Sequence, residues 1–344
     1  MFYQFGAKPS AEDLKRYSQS QQWKGTSFKN LEQTEMSITV KDIPKLLYKQ
    51  FFAKGNRQPK FPLPIKPLNT AAFLDATVDF QFVWYGHSVL LLRLGGKTLL
   101  IDPMFGHDAA PISPFGIKRF SQNTLNSIDA LPNIDLCLIS HDHYDHLDYY
   151  SIKKLKSRVK CFHVALGVKR HLVKWKINPM IITEFDWWQK VCFNSIKITF
   201  TPTRHFSGRG LTDRAKSLWG GWVLKTDEHN ILFSGDSGYG KHFTEIGERL
   251  GPFDFGFMEC GQYNEQWHLI HMYPEESVQA ALDAGVKKAM PVHWGAFALA
   301  QHDWNDPVKR FDVSAKAKQL PFIIPKLGEI CNAKDDFSML WWKD

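Results

Sequence analysis

At 344 residues, 44% of them hydrophobic and 14% aromatic, the chain carries enough apolar material for a substantial core, which excludes a disordered or low-complexity protein. No apolar run approaches the ~18 residues that span a bilayer, and the start MFYQFGAK lacks the basic residues and apolar stretch of a secretory signal. The formal charge of +8 suits an anionic lipid surface, a phosphate-bearing substrate or a nucleic-acid backbone, and equally a solvated basic face.

In chain order, residues 1–78 read as a polar, Lys-rich extension packed on the core, with a few helical turns and an extended wrap through Pro62, Pro64 and Pro67. Lys45, Lys49, Lys54, Arg57, Lys60 and Lys66 are interleaved there with Tyr48, Phe51, Phe52 and Phe61, a mixture compatible with peripheral contact to a membrane. Residues 79–344 read as one unit, because no linker or charge block interrupts them. Residues 79–102 predict two or three strands, with a Gly95-Gly96 turn inside the run from Val89 to Ile101. Asp135 to Ser140 is a short apolar strand, and a helix is expected over 148–158 with Asp148 as its N-cap. Further strands fall near 160–164, 190–201, 220–226, 230–235, 254–259 and 288–292. Helices fall near 240–250, 274–285 and 304–318, the second opened by Pro274 with Glu275 and Glu276 at its positive end. Strands interleaved with helices give an α/β class. The five cysteines (Cys137, Cys161, Cys192, Cys260, Cys331) include no CxxC pair and read as buried free thiols of a reducing compartment; a cytoplasmic location is expected, with peripheral contact to the inner membrane face also compatible.

The densest chemical signal is Ile139 to Asp148, ISHDHYDHLD, where His141, His143, Asp145 and His146 follow the end of a predicted strand. Imidazoles and a carboxylate converging from a loop suit zinc or another borderline divalent cation. Three further strand ends carry a competent residue: His205 in TPTRHFSG, Asp236 in NILFSGDSG and His293 in KAMPVHWG. Open α/β sheets place their chemistry at such ends, where a rigid strand holds the side chain and the loop leaves room for substrate. GDSG resembles the surroundings of a nucleophilic serine, but no GxSxG elbow is present. No glycine-rich phosphate loop ending in Lys-Ser/Thr is present either.

The HxHxDH element with His205, Asp236 and His293 resembles the metallo-beta-lactamase superfamily. WYGHS (84–88), IDP (101–103), HYDHLD (143–148), LWG (218–220), GDSGY (235–239), GPFD (251–254) and HWG (293–295) are similar to the N-acylphosphatidylethanolamine-hydrolysing phospholipase D group. The resemblance runs from about residue 79 to about 310. It implies a four-layer αβ/βα sandwich and two divalent cations, zinc by default, with iron or manganese also suited to the ligands. One metal would take His141, His143 and His205, the other Asp145, His146 and His293, and Asp236 would bridge them. A shared hydroxide would attack phosphorus or a carbonyl carbon, and Asp145 and His271 are the implied catalytic residues. His271 is the candidate proton donor to a leaving alkoxide; His87 and Asp102 are candidate orienting partners of the ligands.

For substrate contact, Phe206, Trp219 and Tyr263 are candidates for an apolar mouth, and Ser207 and Arg209 for meeting a phosphate. The resemblance implies cleavage of N-acylphosphatidylethanolamine to N-acylethanolamine and phosphatidate. Residues 261–265, GQYNE, depart from the group's GAYEP-like stretch, and Met258 and Cys260 differ nearby. A soluble lactone or sugar-phosphate lactone therefore stands as the alternative, and a nuclease ranks below both. The expected partner is a phospholipid or small-molecule substrate; nucleic acid is not expected, and a homodimer is compatible with the sequence.

Overall fold

A computed structural model describes residues 3–35, 44, 48, 55–110, 116–210, 212–335 and 340–343. Two sheets face each other. The first is seven-stranded, in the order β15-β3-β4-β5-β6-β7-β8. Its strands are β3 (Phe80–Trp84), β4 (Leu90–Leu94), β5 (Lys97–Ile101), β6 (Leu136–Ile139), β7 (Phe162–Ala165), β8 (Ile182–Phe185) and β15 (Ile330–Cys331). The second is six-stranded, in the order β14-β13-β12-β11-β10-β9. It comprises β9 (Lys190–Phe193), β10 (Ile196–Thr201), β11 (Gly221–Lys225), β12 (Asn230–Phe233), β13 (Phe255–Glu259) and β14 (Ala289–Val292). Each sheet begins as antiparallel hairpins and ends as parallel strands: β3, β4 and β5 are antiparallel and β5 to β8 parallel, while β9 to β12 are antiparallel and β12 to β14 parallel.

The strands that read as unbroken apolar runs are buried along their whole length, as strands sandwiched on both faces must be. Aromatic side chains knit the sheets together: Phe82 meets Phe257 edge-on at 5.1 Å and Phe255 at 5.2 Å. Helices α3 (Tyr149–Leu155) and α4 (Lys169–Lys174) accompany the seven-stranded sheet, whereas α5 (His242–Leu250), α6 (Pro274–Asp283) and α7 (Asp306–Ala317) pack on the six-stranded one through Phe243, Val278, Phe311 and Met258. The result is the helix, sheet, sheet, helix layering of a metallo-beta-lactamase-like αβ/βα sandwich. The expected elements are present. The 190–201 run resolves into a hairpin, β9–β10, turning at Asn194 with φ 53°.

Among the described residues of the extension, α1 (Ala11–Tyr17) and α2 (Thr70–Phe73) are helical, and β1 (Trp23–Lys24) pairs with β2 (Ser27–Phe28). Of the basic aromatic stretch, Lys45, Lys49, Lys54, Phe51 and Phe52 lie outside the described residues. Arg57 is not a surface cation: it is buried and donates to the carbonyls of Ala298 and Ala300. Phe61 is 80% exposed. The cysteines are free; Cys137, Cys260 and Cys331 are buried and Cys161 is half-buried, but Cys192 is exposed, on the same face of β9 as exposed Lys190. Among the described residues no helix is long and apolar enough to cross a membrane.

Candidate metal centre

The centre lies along the edge where the strands of both sheets end. His141 to His146 follow β6 in the first sheet; His205 follows β10, Asp236 follows β12 and His293 follows β14 in the second. A backbone bridge joins the two sheets beside it, with His87 N donating to Trp294 O (2.7 Å) and His293 N to His87 O (3.0 Å). His87, Asp102 and His293 all sit in the left-handed region (φ 55°, 42° and 67°), which disfavours residues with a Cβ; such strain persists where the surroundings dictate the conformation.

All seven ligand candidates come together. His141 Nε2 is 3.0 Å and His205 Nε2 3.2 Å from His143 Nδ1. Partners on the far side of two rings fix which nitrogen faces inward. His205 Nδ1 donates to Ile270 O (2.9 Å), and His141 Nδ1 lies 2.9 Å from Ser140 Oγ, which itself donates to Asp102 Oδ2 (2.6 Å). Each ring therefore directs its lone pair at its neighbours, an arrangement that needs a cation or a proton between them. Burial holds the imidazoles of His141 and His205 well down and that of His143 at about 4, so the unprotonated, ligating forms are favoured.

Asp145, His146, His293 and His87 form the adjoining group, with ligand atoms within 4.8 Å of one another. Asp102 Oδ2 accepts from His146 Nδ1 (2.8 Å), leaving His146 Nε2 to face Asp236 Oδ2 at 3.0 Å. Asp236 Oδ1 stands 3.1 Å from His293 Nδ1, and Oδ2 stands 3.8 Å from the Nε2 atoms of both His141 and His205. Asp236 thus touches both groups. Its Oδ1, with His146 Nε2 and His293 Nε2, is buried without a hydrogen bond. Burial pushes the Asp236 carboxyl up to about 6. Buried, unpartnered oxygen and nitrogen atoms around a buried carboxylate are what a cation site requires, so the residues fit divalent metal.

The other predicted positions fall as follows. Asp102 orients His146, as above. His87 lies against the second group, its Nε2 2.7 Å from Asp145 Oδ2 and its ring 4.0 Å from that of His293. His271 lies between the groups, stacked on His293 (5.1 Å, 15°) and edge-on to His205 (5.0 Å). Burial holds its pKa at about 3, so the imidazole is neutral and must gain a proton before it can give one. Phe206 and Trp219 line a cavity of about 430 Å³ beside His205. That mouth is not the apolar one expected, because Lys29, Glu32, Gln33, Thr34 and Arg214 share the lining.

Three further candidates for substrate contact are hydrogen-bonded elsewhere in the protein. Ser207 Oγ is buried and donates to Ser217 O (2.5 Å). Arg209 is 2% exposed, and its guanidinium donates to Asp142 O, Leu147 O and Gln4 O, clamping the metal loop rather than meeting a phosphate. Tyr263 gives its hydroxyl to Asp306 and stacks on His302, outside that cavity.

Contacts between distant segments supply what the sequence did not disclose. Asn30 brackets His205, accepting from its N–H (3.1 Å) and donating to its carbonyl (2.8 Å). Asp142, between two ligands, points away from them and accepts from Ser217 Oγ (2.6 Å) and Gly208 N (2.7 Å). Glu259, fully buried at the end of β13, pairs with His271. The signal for Glu259 was available, since a carboxylate within an apolar strand run must find a partner.

Residues 97–294 match the model of the beta-lactamase superfamily domain. An uncharacterized protein of Mycobacterium tuberculosis is 34% identical over 94% of this chain and 88% of its own length. The N-acyl-phosphatidylethanolamine-hydrolyzing phospholipase D 1 of Caenorhabditis elegans is 31% identical over 79% of this chain and 81% of its own length. Among solved structures, a metallo hydrolase of the archaeon Ignicoccus hospitalis is similar in fold, with a TM-score of 0.57 at 19% identity over 75% of this chain and 99% of the other.

Proposed function

The chain belongs to the beta-lactamase superfamily and is a metal-dependent hydrolase of that fold, and from this we propose that it is a dinuclear phosphodiesterase of the phospholipase D type, cleaving N-acylphosphatidylethanolamine to N-acylethanolamine and phosphatidate. The observation that carries the reading is Asp236 standing against two adjoining groups of inward-facing ligand atoms. The similarity to the nematode phospholipase supports the substrate.

His141, His143 and His205 would hold one cation, Asp145, His146 and His293 the other, and Asp236 both; zinc suits this donor set, and iron or manganese would also be accepted. When bound, such a pair lowers the pKa of a water molecule and stabilises charge on phosphate oxygens. The protein's own part is orientation. Asp102, Ser140 and the Ile270 carbonyl fix three imidazoles by their outer nitrogens. Phe206 and Trp219 hold the group flanking the scissile bond, and His271 moves the proton to the leaving oxygen.

A second reading, hydrolysis of a soluble polar ester or lactone, is favoured by the charged lining of the cavity beside His205, which suits acyl chains poorly. Mass spectrometry of products from metal-analysed protein offered N-acyl phospholipids in micelles, lactones and RNA separates the two. Release of N-acylethanolamine with phosphatidate supports the lipid; turnover of lactones alone overturns it in favour of the soluble compound.

A further inference from the structure

We propose that Glu259 is a positioning residue that dictates the tautomer of His271, so that Nε2 of that ring serves the leaving group. The inference rests on the hydrolase reading above and assigns a residue that reading does not use.

Glu259 closes β13 one strand away from Asp236, and its side chain is wholly buried. Both carboxylate oxygens are committed. Oε2 accepts from the backbone N–H of Met272 at 3.0 Å, and Oε1 lies 2.9 Å from His271 Nδ1. The backbone bond fixes the carboxylate plane, and the plane fixes the ring, because His271 and Met272 are adjacent. His271 is 13% exposed while Glu259 is 0% exposed, so the ring opens to solvent on the side away from the carboxylate. With Nδ1 turned to Glu259, the remaining nitrogen is Nε2.

The ring it steers has an unusual seat. It stacks on His293, a candidate ligand of one metal, and meets His205, a candidate ligand of the other, edge-on. A nitrogen of His271 lies within 4.8 Å of ligand atoms of both His205 and Asp236. An imidazole with no carboxylate behind it could present either nitrogen there. Burial, and then the charge of Asp236, push the Glu259 carboxyl well above the usual range, and a cation pair held by the adjoining cluster would bring it back down. As a carboxylate it accepts at both oxygens, from Met272 N–H and from His271, which puts the ring proton on Nδ1. Nε2 is thereby a lone pair, ready to take the proton shed as water adds to phosphorus. As the bond from phosphorus to the alkoxide oxygen breaks, the same proton passes to that oxygen. No net proton is gained, and Glu259 faces the imidazolium that exists between the two transfers.

Glu259→Gln tests this without changing side-chain volume. Met272 N–H still requires an oxygen, so the new amide nitrogen must face His271 Nδ1, which is compatible only with a proton on Nε2. Histidine-selective nitrogen-15 spectra of the zinc-loaded enzyme should show the His271 proton on Nδ1, and those of the variant on Nε2. Metal content should be unchanged. On a short-chain N-acylphosphatidylethanolamine in micelles, kcat should fall about 10²-fold or more with little change in KM. In a His271→Ala background, Glu259→Gln should add no further loss. A proton on Nε2 in the parent, an unaltered tautomer in the variant, loss of metal on substitution, or an equal kcat loss in both backgrounds would each overturn the proposal. The spectra need no substrate, so inactivity towards every compound in the panel would sink the hydrolase assignment and leave the tautomer question answered separately.

Discussion

A carboxylate enclosed by imidazoles, as Asp236 is, has no neutral reason to be there. Its Oδ2 lies 3.0 Å from His146 Nε2 and its Oδ1 3.1 Å from His293 Nδ1, yet Oδ1 is buried without a hydrogen bond. Replacing Asp236 with Ala should therefore abolish turnover of any substrate and lower the bound metal. A variant that retains two metal equivalents by elemental analysis and stays active excludes the shared-ligand role. Elsewhere, His163 offers a cleaner titration, away from the metal ligands. It packs on Phe185 at 4.9 Å with Nδ1 unpartnered, and burial lowers its pKa from 6.5 to about 4. The folded value lies below the unfolded one, so between pH 4 and 6.5 the unfolded chain binds a proton that the fold refuses. Stability from this residue is complete above that window and is lost as the pH falls through it, by ~2 kcal/mol at pH 5. Urea unfolding at pH 7.5 and 5.0 should show a smaller difference for His163→Phe than for the parent; an identical difference would remove His163 as a source of acid sensitivity. The ligands were legible in sequence because each follows a short apolar strand and precedes a loop. Asn30 and Asp142 were not, because their roles depend on Asn30 meeting His205 and Asp142 meeting Ser217 across the chain.

At the scale of elements, the metal loop runs directly into α3, and Asp148 is the hinge between them. Its carboxylate accepts from Ser151 N (2.8 Å) and Tyr150 N (3.2 Å), satisfying two of the amides that the first turn leaves bare. Asp148→Ala should cost ~1–2 kcal/mol in urea unfolding, and Asp148→Asn, which keeps the acceptor, should recover much of it. Equal losses for both would point to charge rather than capping. The same helix was readable from its cap, as were α6 from Pro274 and the β4–β5 hairpin from its glycines. By contrast α4 and β8 carry no such signal. α4 has Val168 at its N-cap with no side-chain hydrogen bond, and β8 is a four-residue strand in which Thr183 is exposed, so neither punctuation nor pattern marks them. The clamp formed by the first residues was equally hidden: Gln4 O accepts from Arg209, and Ala7 N donates to His171 Nδ1 at 3.0 Å, tying the extension to the back of the metal loop.

For the whole molecule, the division of ligands between the sheets matters more than their number. The loop after β6 brings four, and the ends of β10, β12 and β14 bring three, so any bound cation pair would staple the seven-stranded sheet to the six-stranded one at their common edge. The interior needs no staple, since Phe82 already packs on Phe255 and Phe257. Removing metal should thus leave a folded protein whose single unfolding transition has moved down. A ligand present at 100 times its dissociation constant contributes ~2.7 kcal/mol, so chelation should lower the midpoint by several degrees. Added zinc should restore it, and Asp236→Ala should already sit near the chelated value and respond little to chelator. Calorimetry of metal-analysed protein with and without EDTA decides the matter. An unchanged midpoint would mean that cations do not bridge the sheets, whereas two separated transitions on chelation would mean that the aromatic interface alone does not couple them.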